Sequence, residues 1–143
     1  MNEEIEIILQ KAGIHATPVR FLVYKCLKES KRPVSLSDIE ISLNTVDKST
    51  ISRTLNLFKT HHMVHSINDG SGSVKYEICK GRDEEDHEDM HVHFRCETCG
   101  ETYCMNSVKI PQVKLPAGYH IHEINYIMSG ICADCTQKRD FRK

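Results

Sequence analysis

No stretch of this 143-residue sequence stays apolar for the ~18 residues a membrane helix needs, so no helical membrane span is expected. The first ten residues carry acids where a secretory leader would carry Lys or Arg, and a cytosolic protein is the expectation. There is no internal repeat and no low-complexity tract. The net charge of −1 lacks the basic excess that favours nucleic acids, taken over the whole chain. Length is also short. The chain has room for one ordinary domain or two very small ones, and below about 80 residues a core is marginal without a metal, disulfides or a partner chain.

What is abundant is metal-binding chemistry. Seven cysteines and nine histidines are present, and in a reducing cytosol thiols point to metal ligation rather than disulfides. Charge is also divided. Residues 1–80 hold 11 Lys and Arg against 9 Asp and Glu, whereas residues 81–143 hold 8 against 11. The acids crowd into Asp83, Glu84, Glu85, Asp86, Glu88 and Asp89, a polar run that reads as a hinge. The expected organisation is therefore a unit over 1–80, an acidic hinge over 81–90 and a second unit over 91–143.

Apolar spacing predicts the elements. Ile5, Ile8, Leu9 and Ala12 make a short amphipathic helix ending near Gly13. Thr17-Pro18 starts a second, with Val19, Leu22, Val23, Cys26 and Leu27 on one stripe. Ser35 caps a third with Asp38 three residues on, and Leu36, Ile39 and Leu43 face inward. A fourth helix over about residues 48–62 buries Ile51, Leu55 and Phe58. Its other face offers Ser49, Ser52, Arg53, Asn56 and Lys59, side chains suited to phosphates and base edges. Strands over 63–67 and 74–78 flank a turn at Asn68-Asp69-Gly70-Ser71-Gly72. Helices plus hairpin make a winged helix-turn-helix, though the same elements also describe a small α+β unit that binds nothing. Beyond the hinge the period becomes two, over 91–96, 101–105 and 119–128, with a short helix expected near 107–113 and a frayed tail over 136–143. The fold class is α+β, a winged helix-turn-helix followed by a small α/β unit with a four-cysteine zinc site.

Cys96-Glu97-Thr98-Cys99-Gly100 and Cys132-Ala133-Asp134-Cys135 are two CxxC knuckles. Each turn aims two sulfurs at one point, and two turns complete the tetrahedron that structural Zn²⁺ accepts. A redox pair and an iron–sulfur cluster are the competing readings. His91 and His93 alternate about Val92 on one strand face and suit joint capture of a divalent ion.

The order Thr17-x-x-Arg20, Ser49-Thr50-Ile51-Ser52-Arg53-Thr54-Leu55, His91-x-His93-x-x-Cys96-x-x-Cys99-Gly100 and Gly130-x-Cys132-x-x-Cys135 resembles the ferric-uptake-regulator family over about residues 10–136. That resemblance implies a homodimer that binds palindromic operators in double-stranded DNA when metal-loaded and represses the genes downstream. It implies structural zinc at Cys96, Cys99, Cys132 and Cys135, and sensory ligands at His91 and His93. The DNA-contacting set it suggests is Arg20, Ser49, Thr50, Ser52, Arg53, Asn56 and Lys59.

Departures from the family pattern bear on the metal. Ser52 stands where a tyrosine is usual, Arg32-Pro33-Val34 lacks the histidine of iron and peroxide sensors, and Cys104 replaces a carboxylate. Cys79 resembles a cysteine ligand of zinc-uptake regulators, and His65 falls near a further ligand. A set of His65, Cys79, His91 and His93 is a mixed sulfur–nitrogen tetrahedron, which favours Zn²⁺ over Fe²⁺. Glu84, Glu85, Asp86 or His87 are alternatives to His65. A second family metal site would fall on Met90, Val92, Pro111 and Ile124 and looks lost. His120 and His122 share a strand face as a shifted substitute or as solvated residues. Cys26 reads as core, and Cys104 as packing, free thiol or an extra sulfur. Iron or peroxide sensing, and a zinc ribbon that binds no DNA, remain the alternative functions. Neither HExxH nor HxE with PCxxC occurs, so no enzyme is expected.

Overall fold

Four helices and a hairpin follow the apolar periodicity of the first half in a computed structural model that describes residues 2–78, 92–105, 107–108, 111, 113–121 and 125–140, the last two without side chains. Helix α1 spans Glu3–Lys11 and is capped by Asn2, whose side chain accepts from the Glu4 N–H at 3.0 Å. Helix α2 spans Pro18–Glu29 behind Thr17, with proline at the position that needs no donor. Strand β1, Val34–Ser35, leads into α3, Leu36–Ser42, through a full capping box between Ser35 and Asp38. Helix α4, Lys48–Thr60, begins at Asp47, which accepts from the Thr50 N–H.

Ile5, Leu9, Val23, Ile39, Ile51, Leu55 and Phe58 close the core of this half, each at most 2% exposed. Tyr24 packs edge-on to Phe58 with centroids 6.2 Å apart. Cys26 packs against this core, and burial pushes its thiol up. Strands β2, Val64–Asn68, and β3, Val74–Ile78, form the wing, and β1 adds to it in the order β1-β3-β2. The two-residue β1 is too short to give a periodicity in sequence. Tyr76 and Ile78 cover the helical core, so the alternate residues of β3, Lys75 and Glu77, face the other way.

That other face meets a second sheet of order β5-β4-β6. Strand β4 is Val92–Cys96, β5 is Thr102–Met105 antiparallel to it, and β6 is Tyr126–Gly130 parallel to it. The expected strand over 119–128 is displaced. Gly118 turns at φ +93°, the Tyr119 N–H donates to the Pro116 carbonyl, and Tyr119, His120 and Ile121 are exposed without strand pairing. Among the described residues of 107–113, none is helical. The tail is also corrected: helix α5 runs Ala133–Asp140. Its ladder begins inside the second knuckle, where the Thr136 N–H donates to the Cys132 carbonyl, and Asp134 suits the positive end of the helix. The expected hinge over 81–90 lies outside the described residues.

Candidate metal centres and nucleic-acid interface

Strand pairing brings the two knuckles together. In the parallel β4–β6 register Cys96 lies opposite Gly130, two residues before Cys132. A Cβ at residue 130 would stand 3.1 Å from the Phe94 ring, so only glycine lets the strands approach this closely without a shift. The first knuckle turns back at Gly100, φ +77°, where the N–H donates to the Cys96 carbonyl at 2.9 Å. The four sulfurs of Cys96, Cys99, Cys132 and Cys135 all lie within 4.8 Å of one another. Cys99 Sγ and Cys132 Sγ are 3.9 Å apart. A tetrahedron with Zn–S bonds of ~2.3 Å has sulfur–sulfur edges of about 3.8 Å, so the set fits zinc.

The electrostatics suit thiolates. Backbone N–H groups of Cys99 and Cys132 pull the Cys96 thiol down to about 6. The Cys135 backbone N–H, and after it the Tyr103 hydroxyl, lower Cys132. Cys135 moves the other way, to about 12, because its thiol donates to Cys132 and is buried. Without a cation, four sulfurs at this spacing cannot all ionise; a Zn²⁺ ion removes that conflict.

A second cluster joins the wing to the second sheet. His65 and Glu77 are cross-strand partners in β2 and β3, and His93 comes from β4. Glu77 Oε2 lies 3.1 Å from His65 Nε2 and 3.1 Å from His93 Nε2. The rings stand 6.0 Å apart between centroids. All three donor atoms fall within 4.8 Å of one another. A tetrahedron with bonds of ~2.0–2.1 Å has edges of about 3.3 Å, so two imidazoles and one carboxylate fit a divalent ion with a coordination position left over. Burial alone would raise the Glu77 carboxyl, but hydrogen bonds from His65 and His93 outweigh it and hold it at about 2.

Of the residues named from sequence, the structure brings His65 and His93 together; Glu77, which it places between them, was not among those named. The available signal was register: in a hairpin turning at 69–73, residue 77 sits opposite residue 65. Cys79, His91, Glu84, Glu85, Asp86 and His87 lie outside the described residues. Cys104 is the cross-strand neighbour of His93 and half-buried.

Helix α4 presents a polar face. Ser49, Arg53, Asn56 and Lys59 are exposed, while Thr50 and Ser52 are half-buried. The Arg53 guanidinium donates to Thr50 Oγ1 at 3.4 Å, and that hydroxyl in turn donates to Asp47. Arg20 instead spends one donor on the His15 carbonyl at 2.7 Å, securing the loop before α2.

The model of the ferric uptake regulator family matches residues 11–129. The chain belongs to that family. Its members are metal-responsive transcription regulators, and no enzyme activity is implied. A ferric uptake regulation protein of Campylobacter jejuni is 31% identical, covering 96% of this chain and 89% of the relative. A zinc uptake regulator solved with zinc and DNA shares the fold at TM-score 0.68 and 17% identity, covering 96% of this chain and 94% of its own. The Helicobacter pylori ferric uptake regulator, solved with three functional metal sites, matches at TM-score 0.62 and 17% identity over 94% of this chain and 90% of its own.

Against that family pattern the departures now have positions. Arg32 does not join the His65–Glu77–His93 cluster. Its guanidinium stacks 4.5 Å from the Tyr103 ring and pairs with Glu101 at 3.3 Å, linking the loop before β1 to β5. His120 is exposed, and His122 lies outside the described residues. Val92 is buried and Pro111 exposed, and neither side chain offers a ligand.

Proposed function

We propose that this chain is a metal-dependent DNA-binding transcriptional repressor that senses Zn²⁺ and controls metal-homeostasis genes. The observation that carries the reading is the His65–Glu77–His93 cluster, because its ligands come from both the wing and the second sheet. His65 and Glu77 hold the ion from one side and His93 from the other, with Cys79 and His91 as candidates to complete the set. When bound, the ion supplies a fixed cross-link between the two halves. Residues 1–80 then act as the reading head and 91–143 as the dimerisation unit, joined through 81–90.

Cys96, Cys99, Cys132 and Cys135 hold structural zinc in this reading. The three residues of the apolar core around them are all cysteines, so the thiolate site stands in for hydrophobic burial. Val113, Leu115, Tyr119, Ile121 and Met128 expose apolar surface on the same half. A second copy of the chain covers it, as a homodimer requires. In that dimer the two α4 helices meet successive half-sites of a palindrome about one helical turn apart. Arg20, Arg53 and Lys59 take phosphate while Ser49, Thr50, Ser52 and Asn56 reach base edges.

Fe²⁺ is the second reading, and Glu77 is what favours it. A nitrogen- and oxygen-donor set serves iron as readily as zinc, whereas the sulfur-containing set expected from sequence favours zinc. The test selects bound sequences from random DNA, then titrates Zn²⁺ or, without oxygen, Fe²⁺ against wild type, His93→Ala and Cys79→Ser. We expect palindromic sites, Zn²⁺-dependent affinity, and loss of that dependence in His93→Ala. DNA binding indifferent to chelation, or unchanged by His93→Ala, overturns the reading.

A further inference from the structure

Asp69 takes no part in the metal cluster, yet it lies on the same seam. Its side chain is 0% exposed, which a carboxylate tolerates only when its charge and lone pairs are matched. It accepts from the Ser71 N–H at 3.0 Å, Lys75 Nζ at 2.9 Å and Thr102 Oγ1 at 2.6 Å. Burial alone would raise this carboxyl, and those bonds hold it well below the usual carboxylate range. Ser71 and Lys75 belong to the wing, but Thr102 opens β5 on the facing sheet. Lys75 Nζ also approaches Thr102 Oγ1 at 3.4 Å.

Register relates this contact to the metal cluster. Lys75 and Glu77 alternate on one face of β3, two residues apart. On the other sheet Thr102 pairs with Arg95 and Cys104 with His93, again two residues apart. The Asp69–Thr102 and Glu77–His93 contacts are therefore successive rungs between the same two sheets, spaced by about 7 Å of strand. A wing seated on one rung has little freedom at the other.

We propose that Asp69 and Thr102 are positioning residues for the metal cluster: a metal-independent latch that seats the wing in the register where His65 and Glu77 meet His93. This rests on the reading of that cluster as the regulatory metal site. Lys75 balances Asp69 from within the wing, so when the wing lifts the ion pair stays whole and regains water. Of this group's contacts, those of Asp69 and Lys75 to Thr102 are lost. The latch therefore sets register and biases closure modestly, leaving the metal ion to decide the population of the closed form.

The test titrates Zn²⁺ against a chromophoric chelator into full-length protein already carrying zinc at its thiolates. Thr102→Val keeps the shape and removes the donor. We expect zinc affinity at the histidine cluster to fall about tenfold, or ~1.4 kcal/mol. DNA affinity at saturating Zn²⁺ and zinc retention at the thiolates stay at wild-type values, because excess ion restores the closed form. A general structural role would lower those two readouts as well. Thr102→Ser keeps the hydroxyl and binds zinc as wild type does. Equal affinity in wild type and Thr102→Val overturns the proposal, as does Thr102→Ser proving as weak as Thr102→Val. Should Thr102→Val not fold, Asp69→Leu with Lys75→Met removes the Thr102 acceptor and its counter-charge together at nearly constant shape; the same tenfold loss supports the latch and wild-type affinity refutes it. His93→Ala separates the two levels. If it binds zinc like wild type, the site itself is wrong; if it loses zinc while Thr102→Val does not, only the latch is.

Discussion

Replacing Glu77 by Gln removes the charge but keeps the size of the side chain that joins His65 to His93. The carboxyl is 13% exposed and bonded to both imidazoles at 3.1 Å. These bonds hold it at about 2 rather than 4.5, which favours the ionised form by about 3 kcal/mol. Both imidazoles bond the same oxygen, Oε2, so a glutamine oxygen can take its place but leaves both bonds without their charge assistance. About half the interaction goes, so the metal-free variant should lose ~1–2 kcal/mol of unfolding free energy near pH ~5. The sign follows from the depressed value: the contribution is present above pH 4.5 and vanishes as pH falls toward about 2. Urea unfolding across that range should show the two proteins converging in acid. For metal, a neutral amide is a poor substitute for an anionic oxygen, and Zn²⁺ affinity at this site should drop about 100-fold, or ~2.7 kcal/mol. Calorimetric titration reads that directly. Zinc bound within twofold of wild type would remove Glu77 from the site and sink the reasoning.

Zinc binding at the same cluster should weaken as pH falls, with a slope set by the competition of protons for its nitrogen ligands. Glu77 adds nothing to that slope, since it stays ionised down to about 2; competition titrations across a pH series check it. Cys132→Ser should release one zinc per chain and abolish cooperative unfolding of residues 92–140, read by metal analysis and near-ultraviolet dichroism. Arg53→Ala should weaken all DNA sequences alike and lower the salt slope of binding by about 1, measured by anisotropy over a range of salt. His62 follows α4 at φ +59°, a left-handed conformation that suits glycine, so His62→Gly should raise unfolding free energy by about 0.5 kcal/mol in thermal or urea melts.

Some of this molecule is written locally and some is not. Thr17-Pro18, the Ser35–Asp38 box and the apolar stripes specify α1 to α4 because capping and helical periodicity act within one or two turns. The paired CxxC knuckles announce a cysteine tetrad for a similar reason, since each turn is a local geometry and only their meeting is long-range. Alternation located β4 and β5 but misplaced β6, which begins at Tyr126 rather than near Tyr119. Period two says that a segment is extended without saying which neighbour it pairs with, and here pairing is decided by Cys132 having to reach Cys96. The tail became α5 because the second knuckle is itself a helical turn that the following residues extend.

Sequence by itself therefore determined the helices, the hairpin, the thiolate site and two of the three residues in the histidine cluster. Only the tertiary structure chose Glu77 as the carboxylate between His65 and His93, set Asp69 against Thr102, and turned Arg32 onto Tyr103. Each of those contacts, the His65–Glu77 pair within the wing apart, joins the wing or its flank to a strand far along the chain. Such partners are fixed by how two sheets dock face to face, a relation that no spacing along one strand records.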